Sequence, residues 1–335
     1  MSITAKELAK KLGLSEAAVS MALNNKPGVS RETRQLIFDT AEREGYDFSR
    51  VAAKKQVSGS LYFVLFKKHG AVVADTPFFS QLSDGISEGC KDTGYKMNTR
   101  YIYDDELTLT KQLEDIQYSD CCGIILLGSE MTVSDFKLFQ KLPIPIVLLD
   151  TYFETVEADY VLINNVQGAF LATSYLIKRT QKQPGYLRSS YSIGNFEERA
   201  SGFYNAVRAG GMSASKSIVH RLTPSVEGAF SDMMEILERG DELAGCYFAD
   251  NDLIAVGAMR ALKTRGYRIP EDISIVGFDN ISFSNIVEPS LTTIHVPKKE
   301  MGILAVERLV SRLEKKKAAP VKIEVSTHLI KRHSA

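Results

Sequence analysis

Apolar positions recur along this chain at two different periods, and the change from one to the other divides it. Ala5, Leu8, Ala9 and Leu12 fall three or four positions apart, which places them on one face of a helix. Thr4 precedes that run and Glu7 follows three positions later, the spacing of a capping box. Gly13 supplies the permissive backbone of a tight turn, and Leu14 closes the apolar seam. Ser15 is placed as N-cap of a second helix that turns Val19, Ala22 and Leu23 inward and presents Glu16, Ala17, Ser20, Met21 and Asn24 outward. A third helix is expected from Arg31 to Glu44 behind Ser30, burying Leu36, Ile37 and Ala41.

From Ser60 onward short apolar runs alternate with helical patterns. Strands are expected at Leu61–Phe66, CGIILL, IPIVLLD, DYVLI, Gly185–Arg188, Gly245–Phe248 and Ile273–Phe278. Between them, helices are expected at Phe79–Thr93, Val133–Gln140, Gly168–Lys178, Glu197–Ala209, Val226–Arg239 and Asp252–Arg265. Alternation of this kind builds parallel sheets covered on both faces, and its restart after residue 159 implies two lobes. The fold class is therefore α/β, with an N-terminal all-α helix-turn-helix head over 1–48, a linker over 49–59 and a two-lobed body over 60–335.

Composition narrows the class without naming it. The 335 residues, 44% hydrophobic and 24% charged, suit a multi-domain globular protein. The N-terminus lacks a basic region followed by an apolar run, and no stretch reaches about 18 apolar residues, so neither a secretory signal nor a membrane span is expected and the cytoplasm is. Four cysteines, Cys90, Cys121, Cys122 and Cys246, match no zinc spacing and are expected as reduced core thiols. Net charge is zero, yet residues 1–58 carry ten basic side chains against seven acidic ones, the sign a DNA-binding head requires.

A helix-turn-helix unit fits the major groove, where base edges are distinguishable. On the residues alone, a three-helix module that binds protein or stabilises the body is an equal alternative. The stretch ITAKELAKKLGLSEAAVSMALNNKPGVSRETRQLIFDTAEREGYDFSRVA resembles the head of the lactose-repressor (LacI/GalR-type) transcription regulators. Its V-S-x-A-L-N run, K-P-G-V-S turn, T-R before the third helix and final G-Y carry the resemblance. It implies base contact by Glu16, Ala17 and Met21, and phosphate-backbone contact by Thr4, Ser15, Ser20, Asn24, Ser30 and Thr33. Met21 stands where many members of that family place an arginine, so its contact would be apolar. SRVAAKKQVS at 49–58 resembles the family's hinge, with Lys55 where a leucine wedge is usual. Arg50, Lys54 and Lys55 are then expected at phosphates or the minor-groove edge, the alternative being a flexible basic linker.

Ligands of open parallel sheets bind outside the strand C-termini. Asp150, Asn251, Asp252 and Asp279 follow strand-like runs, Arg199 opens a helix after another, and Phe78 and Phe79 open the first helix of the body. Carboxylates, an amide, an arginine and aromatic faces suit a polyhydroxylated small molecule. The body also resembles the same family's periplasmic-binding-protein-like sensor core, through P-F-F, V-x-L-L-D, E-R-x-x-G-F, N-D-x-x-A-x-G-A-x-R-A-L, P-E-D-I-S-I-V-G-F-D and P-S-L-T-T-I. That resemblance implies effector contact by Phe79, Asp150, Arg199, Asn251 and Asp252, with Phe78 beside them. The large aromatic that some sugar-sensing members place after residue 222 is replaced here by a stretch containing Thr223.

G-I-S-E-G at 85–89 matches the G-x-S-x-G nucleophile pattern, but it falls within an amphipathic run rather than on a strand-to-helix turn. No acid–base set, metal-ligand spacing or cofactor motif assembles, so an enzyme is not expected. The expected protein is a homodimeric, ligand-responsive regulator, a repressor of a pseudo-palindromic operator, with a carbohydrate-like effector. The alternative is a transport-type sugar-binding protein without regulatory DNA binding.

Overall fold

The computed structural model describes residues 3–23, 29–46, 59–68, 70, 72–73, 77–105, 108–315 and 318–335. Asn24, Arg50, Lys54 and Lys55, and with them nearly all of the expected linker, lie outside the described residues.

Three helices form the N-terminal unit: α1 (Ala5–Leu12), α2 (Glu16–Leu23) and α3 (Arg31–Arg43). Each begins on the hydroxyl residue that its sequence offers. Thr4 and Glu7 form a reciprocal capping box, the Ser15 hydroxyl accepts from the Ala18 amide at 3.1 Å, and Ser30 accepts from the Thr33 amide. Gly13 takes φ +65° at the end of α1, and the Leu14 amide donates back to the Ala9 carbonyl at 3.0 Å. That left-handed residue is what lets the chain reverse into α2. Leu8, Ala9, Val19, Ala22, Leu23, Ile37 and Ala41 close a small core. Leu36 corrects the expectation for α3, because it is 51% exposed. Its neighbour Ile37 takes the inward position, and Thr40, one turn on, is buried with its hydroxyl donating to the Leu36 carbonyl. Polar contacts between the helices include Arg34 donating to the Ala22 carbonyl at 3.1 Å and Lys11 pairing with Glu44.

The α/β unit carries two six-stranded sheets. The first contains β1 (Ser60–Lys67), β2 (Lys96–Tyr103), β3 (Cys121–Leu127), β4 (Ile146–Leu149), β5 (Asp159–Ile163) and β11 (Lys322–Val325) in the order β2-β1-β3-β4-β5-β11. Its helices are α4 (Pro77–Cys90), α5 (Leu109–Gln117), α6 (Val133–Phe139) and α12 (Lys298–Glu314). The second contains β6 (Gly185–Ser189), β7 (Val219–Leu222), β8 (Cys246–Ala249), β9 (Ser274–Asp279), β10 (Thr292–His295) and β12 (His328–Ile330) in the order β7-β6-β8-β9-β10-β12. Its helices are α7 (Asn165–Thr180), α8 (Gly194–Ala209), α9 (Val226–Arg239), α10 (Asp252–Thr264) and the short α11 (Phe283–Ile286). Pairing is parallel from β1 to β3 to β4 to β5 to β11 and throughout β7-β6-β8-β9-β10, while β12 runs antiparallel to β10.

Both sheets reverse their strand order at the same place, between β1 and β3 in one lobe and between β6 and β8 in the other. Such switch points are where open sheets leave a crevice beyond their strand ends. The chain passes between lobes after β5, after β10 and after β11. The G-x-S-x-G residues fall inside α4, where they serve packing. A Cβ on Gly85 would collide with the Lys299 carbonyl, and one on Gly302 would sit 2.5 Å from the Leu82 carbonyl. Glycines on both helices thus let α4 and α12 touch backbone to backbone.

α4 begins and ends earlier than expected. β2 and α5 carried no readable signal. Apart from Ile102, the β2 side chains are exposed or half-buried, so KMNTRYIY has no apolar alternation to betray a strand.

Candidate functional site

The strand-end rule leads to one cavity between the lobes. It is lined by Val72, Phe78, Phe79 and Asp150 from the first lobe, and by Asn195, Arg199, Asn251 and Asp279 with several apolar residues from the second. Five of the six expected effector positions, Phe78, Phe79, Asp150, Arg199 and Asn251, therefore come together. Asp252 does not line the cavity. It is fully enclosed, with its carboxylate accepting from the Ile281 amide at 2.9 Å and the Thr293 hydroxyl at 2.5 Å. It anchors the loop after β9.

Arg199 organises the second-lobe wall. Its guanidinium is 4% exposed and stacks over Phe278 at 3.8 Å. Nε donates to Asn165 at 2.9 Å, Nη1 to the Asp250 carbonyl at 2.5 Å, and Nη2 lies 3.3 Å from Asp279. Asp150 faces it from the first lobe. One Asp150 oxygen accepts from the Ser129 hydroxyl, while Oδ1 is buried without a partner, and Asn195 of α8 donates to the Asp150 carbonyl at 3.2 Å. Asn251 caps α10 by accepting from the Ile254 amide at 2.9 Å. Asp150, Asp279 and Asn280 all take positive φ, at 60°, 106° and 51°. Asp and Asn tolerate that region better than bulkier residues, and strain of this kind gathers where a backbone is held for a task.

Four carboxyls crowd this region, and burial resists their ionisation. Burial pushes Asp150 up to about 6, against the Ser129 hydrogen bond and the Arg199 charge. It pushes Asp250 to about 6 as well, although the Ser189 amide and the Tyr186 hydroxyl donate to it. Asp252 rises to about 8, through burial first and the neighbouring Asp279 charge second. Burial also raises Asp279, against Arg199 and Lys298. A carboxyl raised on folding contributes stability that is complete below its unfolded pKa and lost as pH rises through the folded one. The thermal midpoint of the wild type should therefore rise, relative to Asp252→Asn, as pH falls from about 9 to about 7. Parallel midpoint curves for the two proteins across that window would contradict it. Below it, His220 and His295, both lowered by burial, act with the opposite sign.

In the head, Glu16, Ala17 and Ser20 are exposed on one side of α2, and Met21 beside them is half-buried. Glu16 lies 3.7 Å from Lys6, with both side chains largely in solvent, an ion pair of little energetic weight. Thr4, Ser15 and Ser30 are the capping residues of the three helices, and Thr33 sits one turn into α3.

Several residues around the site were missed by sequence reasoning. Ser129 and Glu130 stand two and three residues after β3, within reach of the strand-end rule. Asn195, at the start of α8, needed the same rule applied after β6. Lys298 is buried beneath the cleft, its ammonium donating to the Asp279 carbonyl at 2.5 Å.

Residues 173–335 match the family model for a periplasmic binding protein-like domain. The chain is 28% identical over 335 residues to the HTH-type transcriptional repressor PurR of Actinobacillus pleuropneumoniae, covering 99% of this chain and 98% of that protein. It is also 28% identical over 337 residues to the HTH-type transcriptional regulator GalR of Escherichia coli, covering 99% and 95%. Among solved structures, a LacI family transcriptional regulator from Enterococcus faecium with bound ribose aligns with a TM-score of 0.71 at 25% identity, over 82% of this chain and 98% of that one. Head and body alike are spanned by these relatives, and the chain is similar over nearly its whole length to LacI/GalR-type transcriptional regulators.

Proposed function

We propose that this protein is a homodimeric repressor that binds a pseudo-palindromic operator and senses a small neutral sugar or sugar derivative in the interlobe cavity. The observation that carries the ligand class is the pairing of Asp150 with Arg199. Asp150 offers a buried, unpartnered acceptor oxygen, which a hydroxyl donor would satisfy; an unmet buried acceptor costs about 1–3 kcal/mol. Arg199, the cation on the cavity wall, is already engaged on three sides by Asn165, Asp250 and Asp279. A phosphate or carboxylate would have to displace those contacts, whereas a polyol would not. Phe78 and Phe79, edge-to-face at 5.0 Å, offer aromatic surface to the apolar side of a sugar ring.

In this structure the cavity is about 50 Å³, room for a few waters at roughly 10–15 Å³ each. A sugar therefore enters when the lobes part about their three connecting passages, a hinge motion of the kind ligand clefts use. Coupling to operator affinity is expected to be about 1–3 kcal/mol and reciprocal.

On DNA, the exposed face of α2 is the reading face. Ala17 can touch a thymine methyl and Glu16 can accept from a cytosine amino group, with Met21 adding apolar contact. Thr4, Ser15, Ser20, Ser30 and Thr33 lie near helix starts, where amides and hydroxyls suit phosphate oxygens. Two heads related by a two-fold axis require inverted half-sites. No catalytic role is assigned, and a DNA-bound regulator resides with the chromosome in the cytoplasm.

Calorimetric titration of the full chain with ribose, galactose and cellobiose tests the ligand class. At least one should bind, and Asp150→Asn should weaken it about tenfold, the scale of one charge-assisted hydrogen bond. If none binds while a phosphorylated sugar does, the neutral-sugar reading is wrong.

A further inference from the structure

Glu130 stands three residues beyond β3, at the switch point of the first lobe, and is 4% exposed. Its carboxylate accepts four backbone amides from the connection between β1 and α4. Oε2 takes Lys68 at 2.9 Å and Gly70 at 3.0 Å, and Oε1 takes Val72 and Val73 at 2.8 Å each. A carboxylate presents about four lone-pair sites, two on each oxygen, and each Glu130 oxygen meets at least two of these donors. The same connection supplies Val72 to the cavity and leads into Phe78 and Phe79. Lys68 holds its near end from outside, with its ammonium 2.9 Å from Asp135 and 3.2 Å from Asp104.

We propose that Glu130 is a positioning residue of the cleft: without lining the cavity, it fixes the backbone that carries the first-lobe wall. The pair Ser129–Glu130 then serves the site twice, Ser129 by holding the Asp150 carboxylate and Glu130 by holding the opposite stretch of wall. A glutamine could not substitute. Its amide nitrogen would meet two N–H donors head-on, and only one oxygen would remain to accept. Burial alone would raise the Glu130 pKa, yet the four amides outweigh it and hold the group below its ordinary value. The carboxylate is thus the form the site keeps at neutral pH.

The inference rests on the cavity being the ligand site, but its test needs no ligand. Amide hydrogen exchange is measured on the full chain and on Glu130→Gln. In the wild type, the amides of residues 68, 70, 72 and 73 should be protected; exchange at solvent rates there overturns the proposal even if the variant does not fold. In Glu130→Gln those four should exchange about tenfold faster or more, with β3 and β4 unchanged, as for a local opening. Equal acceleration through β3 and β4 would make Glu130 a residue of general stability and overturn the positioning role. Phe78→Trp, in a chain without tryptophan, supplies a second readout. Acrylamide quenching of the introduced indole should rise when Glu130→Gln is added, and unchanged quenching overturns the link to the wall. Failure of every sugar to bind would instead fault the ligand reading and leave these measurements standing.

Discussion

Arg199→Ala should remove ligand binding and destabilise the α/β unit by about 3–5 kcal/mol, the cost of stripping one partner from a buried charged network. The guanidinium is the charge that Asp279 faces at 3.3 Å and that eases ionisation of Asp150 and Asp250. It also fills the space over Phe278, so an alanine leaves a cavity as well as unmatched carboxyls. Arg199→Lys should recover only part of the loss. A single ammonium cannot reach the Asn165 oxygen, the Asp250 carbonyl and Asp279 together from one stem. Urea unfolding and sugar calorimetry on both variants check this. A lysine variant with wild-type stability and affinity would mean that the three-sided geometry is dispensable.

Leu8→Ala should have the second large effect, confined to DNA binding. Leu8 is fully buried in a core of seven residues. Leucine-to-alanine changes in cores cost about 2–5 kcal/mol, while a head of this size has only a few kcal/mol in total, at about 0.05–0.15 kcal/mol per residue. The head should therefore be largely unfolded, with operator binding lost and sugar binding by the body retained. Leu36→Ala provides the contrast. Its side chain is 51% exposed, and the change should stay within about 0.5 kcal/mol. Equal losses of helical signal in the two variants would contradict the assignment of the head core.

The head was legible because its signals are local. A capping box, a turn glycine and apolar residues on a helical period need only neighbours in sequence to be recognised. Leu36 shows the limit of that logic. It and Ile37 are adjacent apolar residues about 100° apart on a helix, and only the packing against α1 and α2 decides which one turns inward. In the body, strands buried on both faces gave clear apolar runs, whereas β2, with most of its side chains in or near solvent, did not. The cleft was legible in outline, since the strand-end rule and the resemblance pointed to Asp150, Arg199 and Asn251. The separate roles of neighbouring residues were not. Asn251 and Asp252 are consecutive, yet one reaches the cavity and the other clamps a loop, because successive residues at a helix start point in different directions. The part Glu130 plays was unreadable for a related reason, although its place after a strand was not. The backbone amides that bind it among the described residues lie some sixty positions away, and backbone donors leave no trace in a sequence.

Whether the head reads a specific inverted repeat is decided by selection from a random duplex library with the full chain. A pseudo-palindrome bound by two chains should be enriched, with binding that survives competition by unrelated duplex. Discrimination in such systems is typically about 10³–10⁷ over non-specific sites. Substituting Glu16 or Ala17 should change which bases are enriched within each half-site, whereas Ser20→Ala should weaken binding to all sequences alike. Recovery of unenriched DNA, bound no better than competitor at physiological salt, would mean that the head does not read sequence.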